Sequence, residues 1–219
     1  MIDFSVLATY WPLLLQGTLV SLQIAAFSCI IGITGGSLLA LAHTQGHGIA
    51  RACVFAYVTV MRGTPMLIQI AFAVFVLPQL GIKMSLFWAA TVAIGLNSSA
   101  YLSQIIIAGI ASVNKGQIEA AKVLGLTPLQ TTRYIVAPQA VRVLLPALTN
   151  EFITLIKDSS LASTVGVMEL TKQGSYIKNE TYDALTIYCT VALIYLCLTS
   201  LLAVVLSRLE RKMNRHATH

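Results

Sequence analysis

Leu13 to Ala42 reads LLLQGTLVSLQIAAFSCIIGITGGSLLALA, thirty residues without one Asp, Glu, Lys, Arg or His. At 1.5 Å per residue that run exceeds the roughly 20 residues a helix needs to cross a hydrocarbon core. It is also too long for the apolar core of a cleaved leader, and Met1 to Tyr10 carry no basic cluster, so the segment is expected to stay as a helix. Three more uncharged runs lie within Gly63 to Ile82, Met84 to Asn114 and Ala184 to Ser207. In lipid, backbone N–H and C=O groups must be satisfied within the segment, so these runs predict transmembrane helices.

Composition agrees. The 219 residues are 57% hydrophobic and 10% charged, with a mean hydropathy of +0.80, outside the range of ordinary soluble domains. A formal charge of +6 invites a nucleic-acid reading, but no aromatic residues are interleaved with the basic ones. Most Lys and Arg border apolar runs. Cys29, Cys53, Cys189 and Cys197 lie in or beside apolar segments without metal-ligand spacing and are expected to be inert packing residues. His43, His47, His216 and His219 also lack metal spacing and are expected to be solvated.

Leu144 to Val167 decides the number of spans. It is apolar at both ends but contains Glu151, Lys157 and Asp158. Counted as a span, it makes five, with the termini on opposite sides. Segments 43–63, 112–145 and 208–219 then hold ten Lys and Arg, against Lys83, Lys172 and Lys178 on the other side. The positive-inside rule places the N-terminus outside and the C-terminus in the cytoplasm. The expectation is one all-α integral membrane domain over 1–219, with helices at about 15–42, 63–80, 85–110, 146–166 and 185–207. Trp11 and Trp88 fall at the expected outer ends of helices one and three, where indoles anchor. No internal repeat, linker or low-complexity segment is visible.

The segment 112–143 is the longest outside the spans, and its punctuation predicts two short helices with a break. Gln117 to Leu124 favours a helix, Gly125 ends it, Thr127-Pro128 supplies an N-cap and a proline at N1, and Pro138 interrupts the second helical stretch. Within the segment stand Glu119-Ala120-Ala121, Gly125, Ile135 and Pro138. This pattern resembles the EAA loop of ABC importer permeases. Ala137 departs from it, since leucine usually precedes that proline.

Further matches point to the polar amino acid branch of those permeases. They are Arg62-Gly63-Thr64-Pro65, Leu96-Asn97-Ser98 with Ala100-Tyr101, Lys115-Gly116-Gln117, Asn150-Glu151-Phe152, Lys157-Asp158-Ser159-Ser160-Leu161 and Glu169-Leu170-Thr171. The resemblance implies a MetI-like transmembrane domain in a bacterial cytoplasmic (inner) membrane. It implies a second permease subunit, two cytoplasmic ATP-binding subunits, an extracytoplasmic amino-acid-binding protein, and no nucleic acid. On this resemblance Glu119, Ala120, Ala121 and Gly125 couple the chain to the ATPase. The chain itself lacks the G-x-x-x-x-G-K-[ST] loop, so ATP and magnesium are expected on partner chains.

Ionisable residues inside a span cost roughly 2.5–3.5 kcal/mol each on insertion scales and usually face a cavity or a partner helix. Asp158 and Lys157 are therefore substrate-pathway candidates. Adjacent residues diverge by about 100° on a helix, so they cannot simply pair, and a buried charge network without substrate contact remains the alternative. If helix four begins near Pro146, Asp158 lies about 18 Å along it. Asn97, Tyr101 and Gln104 form a polar stripe that either lines the pathway or glues helices together, with Ser98 beside it. Similar permeases often have glutamate where this chain has Gln104, which weighs against an arginine-type substrate. Thr64 and Pro65 read as N-cap and N1 of helix two, with Gln69 one turn further in, and Arg62 as an anchor or gate.

A secondary transporter would use the same charges as an ion relay but leaves the EAA pattern unexplained and should show an internal repeat. An intramembrane enzyme lacks support, because no HExxH or G-x-S-x-G occurs.

Overall fold

The computed structural model describes residues 4–215; the ends of the expected domain, including His216 and His219, lie outside the described residues. The helices are α1 Phe4–Gln45, α2 Gly48–Gly63, α3 Met66–Ala71, α4 Leu86–Ala111, α5 Lys115–Val123, α6 Pro128–Thr131, α7 Ala137–Asp158, α8 Leu170–Thr181 and α9 Ala184–Arg215. No strand occurs among the described residues. Stretches Ser5–Gln45, Leu86–Ala111 and Ala184–Arg208 are each long and apolar enough to cross a membrane.

α1 and α4 run side by side in the same direction. Phe27 meets Trp88, a Cβ at Gly32 would strike Ser98, and one at Gly36 would strike Leu102 2.8 Å away. Glycines here let the two backbones approach as they do in membrane helix pairs. α9 runs parallel to α1, since Leu14 clusters with Ile187 and Val191 while Ser21 lies 3.4 Å from Tyr195. α2 and α7 run the other way: Tyr57 meets the Ser99 hydroxyl and the Met61 carbonyl accepts from Asn97, and Ser98 meets Glu151 while Leu144 lies against Gly109. The five passes thus alternate in direction.

Helix two differs from the expected 63–80. The chain is already helical from Gly48, breaks after Gly63, and resumes at Met66, with 103° between the two halves. Proline disfavours the α conformation in the residue before it, and Thr64 is accordingly extended (φ −114°, ψ 142°). The Thr64 hydroxyl donates back to the Val60 carbonyl, and Pro65 itself holds the N-cap position of α3. Arg62 is therefore not a connecting-loop residue. Its guanidinium lies 5.1 Å from the centre of the Tyr101 ring, within the length of α4.

Helix four also differs. α6, a π-turn at Thr132–Val136 and α7 follow one another without a gap, and the chain leaves α7 through a 3-10 turn at Ser159–Val165. Pro146 lies inside the helix rather than at its start. The π-turn explains why Pro138 does not interrupt: Ala137 donates to the Thr132 carbonyl five residues back, widening the helix where the proline ring must fit. The same device recurs before Pro78, where Leu77 donates to Phe72.

The two tryptophans are not level. Trp88 packs on Phe27, and Trp11 precedes Phe27 by 16 residues, roughly 24 Å along the same helix. One plane across α1 cannot pass through both. Cys53, Cys189 and Cys197 are exposed rather than packed, and Cys29 is partly buried.

α8 crosses the end of the bundle that holds the first turns of α1 and α9. Its N-cap is the fully buried Glu169. The Glu169 carboxylate accepts from Ser21, Tyr195 and the Thr171 and Lys172 amides, tying α8 to α1 and α9. Burial pushes this carboxyl above its ordinary range, opposed by those donors.

Candidate functional site

A cleft of about 460 Å³ opens where helix two is broken, lined by Thr64–Met66 at the break, by Asn97, Ser98 and Tyr101 of α4, and by one face of α7. That face presents Glu151, Thr154, Leu155 and Asp158. The spacings i, i+3, i+4 and i+7 place them in one row along the helix. Two carboxylates thus share one cavity within a membrane-spanning bundle.

The break has a specific repair. The last carbonyls of α2 have no helical partner and would be expensive to leave bare in lipid. Gln69 donates to the Met61 carbonyl (2.9 Å), the Thr64 carbonyl (3.2 Å) and the Thr64 hydroxyl (2.7 Å). Asn97 donates to the same Met61 carbonyl (2.8 Å) and to the Gln69 side-chain oxygen (3.0 Å).

Each expected pathway residue now has a place. Asp158, Ser98, Tyr101 and Asn97 line the cleft. The Asn97 amide is nevertheless spent on the helix break, and Ser98 donates to Glu151 at 2.7 Å. Lys157 is exposed and does not line the cleft, as the divergence of neighbouring helical side chains requires. Gln69 stands behind the break, against an apolar groove. Gln104 lines a separate cleft with Arg62 and Tyr101, so its neutral amide does not set the charge of the first cavity.

Sequence reasoning did not single out Glu151, Thr154 or Met66 as pathway residues. The signal was available for two of them: Glu151, Thr154 and Asp158 have helical one-face spacing, which the adjacent charges at 157 and 158 mask. Among the described residues no group of three His, Cys, Asp or Glu side chains could hold a metal ion.

At the far end of α4, Asn114 caps α5 by accepting from the Gly116 amide. Gly125 has φ +78°, and its amide donates to Lys122 while Leu126 donates to Ala121. That double bond pattern is a Schellman ending, which favours glycine. Thr127 and Gln130 then form a capping box, with Pro128 in the first turn of α6. Ala121 is buried, Glu119 and Ala120 are exposed, and the apolar side chains Val123, Leu124, Leu129 and Tyr134 stand in solvent-accessible positions around them.

An alternating five-pass bundle with a broken helix, a charged internal cleft and a structured loop at one end defines a membrane transport subunit. Residues 32–215 match the family described as binding-protein-dependent transport system inner membrane component, and the chain belongs to that family. It is 39% identical over 213 residues to the glutamine transport system permease protein GlnP of Escherichia coli, covering 96% of this chain and 97% of that one. It is 36% identical to a putative glutamine transport system permease protein GlnP of Rickettsia conorii, covering 96% and 98%.

Among solved structures, an amino acid ABC transporter with histidines superposes with a TM-score of 0.90 at 36% identity, covering 97% of this chain and 99% of that one. The MetNI methionine ABC transporter in an inward-facing conformation gives 0.75 at 24% identity, covering 92% and 96%, a likeness of fold. The chain is a multi-pass permease subunit of an ABC importer, and the ATPase activity of such importers is carried by separate partner subunits.

Proposed function

We propose that this subunit passes a polar amino acid through the cleft at the broken helix, with the substrate ammonium received by Glu151 and Asp158. The observation that carries this reading is the pair of carboxylates on one face of α7 in a single membrane cavity. A zwitterion needs an anionic partner where water is scarce, and Thr64, Thr154 and Tyr101 add polar groups around it. The names of the relatives favour glutamine or a close analogue. A cationic side chain is also compatible with two carboxylates.

The chain works as one of a pair of permease subunits with two cytoplasmic ATP-binding subunits and an extracytoplasmic binding protein, in a bacterial inner membrane. The basic ends of its helices support a cytoplasmic C-terminus, even with Arg62 removed from the count. Glu119, Ala120, Ala121 and Gly125 form the contact with the ATPase, and closure of the ATPases around ATP and magnesium turns the cleft toward the liganded binding protein.

The test is ATP-driven uptake by the assembled complex in proteoliposomes, across a panel of labelled amino acids. One polar amino acid should accumulate, and Asp158→Asn or Glu151→Gln should each lower its uptake about tenfold or more, the loss expected of a charge-assisted bond. Full uptake in both variants would remove the cleft from the pathway, and failure to accumulate any amino acid would remove the substrate class.

A further inference from the structure

We infer that Tyr101, held by Arg62, is a gate between two successive compartments of the pathway. Tyr101 is shared by the walls of two clefts of similar size. The first, about 460 Å³, holds Glu151 and Asp158. The second, about 470 Å³, is lined by Arg62, Gln104, Thr59 and His43. Among the described residues no other lines both.

Position along the helices orders the clefts. On α4 the first takes Asn97 and Ser98, and the second takes Gln104, nearly two turns nearer the coupling loop. On helix two, the first takes the residues after the break and the second those before it. The polar stripe at 97, 101 and 104 therefore runs through both compartments, with the phenol ring across the middle.

Arg62 lines only the second cleft, and its guanidinium lies 5.1 Å from the ring centre, in range for a cation–π contact. It thus braces the ring from the coupling-loop side. The bracing depends on the helix break, because Arg62 occupies the last turn of α2 and the chain turns through 103° immediately beyond it. Any change in that angle carries the cation across or off the ring. Charge reinforces the barrier, since a substrate ammonium attracted to Glu151 and Asp158 meets a fixed positive charge before it can advance.

The inference deepens the transport reading above, but its test needs no substrate. Thr59→Cys reports the second cleft and Thr154→Cys the first, each in a chain whose four cysteines are replaced and which is assembled with its partners without nucleotide. A membrane-impermeant thiol reagent is added from the face that labels Thr59→Cys. With Tyr101 intact, Thr154→Cys should react about tenfold more slowly than Thr59→Cys, a factor in line with one cation–π contact.

Tyr101→Ala should abolish the lag, Tyr101→Phe should keep it, and Arg62→Gln should shorten it. An absent lag with Tyr101 in place, or an unchanged lag in Tyr101→Ala, overturns the gate. Should Tyr101→Ala fail to assemble, an unchanged lag in Arg62→Gln does the same. A complex that imports no amino acid yet shows the lag and its loss would refute the substrate reading and leave the gate standing.

Discussion

Asn97→Ala separates a helix clip from a pathway residue. Asn97 is 6% exposed and its amide donates two bonds, to the Met61 carbonyl and to Gln69. Its removal leaves Met61 with the Gln69 donor, so the Gln69 oxygen is the group stripped of a partner. Interhelical bonds in membrane proteins are worth about 0.6 kcal/mol on average and up to about 1.7. Two such bonds give a loss of roughly 1 to 3 kcal/mol, or a fall of about 3 to 10 °C in the melting midpoint for a chain of this size.

The assay is thermal unfolding of the detergent-solubilised complex, followed by fluorescence-detected gel filtration, with uptake kinetics on the same variant. Gln69→Ala should cost more, because it removes three donated bonds and takes the amide donor from both the Thr64 carbonyl and the Thr64 hydroxyl, and the double variant should fall short of the sum by roughly one bond. An unchanged midpoint with a raised KM would refute the argument and make Asn97 a substrate contact.

Gly36→Val tests the parallel pairing of α1 and α4: a Cβ there lies 2.8 Å from the Leu102 Cβ and 3.1 Å from the Ser103 backbone nitrogen, so overpacking of roughly 1–3 kcal/mol should lower the yield of assembled complex. Ala120→Trp places bulk on an exposed position of α5; folding should persist while stimulation of the ATPase by liganded binding protein is lost, and normal stimulation would dismiss α5 as the coupling surface. Glu169→Gln bears on pH. The folded carboxyl holds its proton to higher pH than the unfolded one, so its contribution is full below the unfolded value and declines as pH rises through the folded value. The variant should flatten that slope in melting midpoints taken across about pH 4 to 7.

Apolar runs were enough to locate α1, α4 and α9, because lipid imposes one backbone solution on long uncharged stretches. The coupling loop was also legible, since Gly125 and Thr127-Pro128 act through local backbone preferences that need no tertiary partner. Helix two was not, because Arg51 and Arg62 made 43–63 look like a basic connection, although both belong to α2 and Arg62 lies over the Tyr101 ring of α4. The start of α7 was hidden for another reason. Pro138 and Pro146 both read as boundaries, whereas a π-turn absorbs the first and the second stays within the helix. The cleft depended on the correct face of α7, which adjacent charges do not reveal and the i, i+3, i+7 row does.

The revised extent of α7 changes how the two ends of the subunit communicate. Two short loop helices followed by a separate span would form a jointed connection, and motion at the ATPase could dissipate at the joints. In the structure, helical turns run from Pro128 to Asp158 without a gap, about 46 Å at 1.5 Å per residue. The rod begins at the capping box beside the coupling helix and ends at the second carboxylate of the cleft. In the proposed cycle, a displacement of α5 and α6 therefore reaches Glu151 and Asp158 through one helix, while α1 and α4, locked by glycine contacts, supply the fixed wall. The π-turn at Thr132–Val136 is the place in that rod where the hydrogen-bond register already departs from the α pattern, and so the place where bending needs the least new disruption.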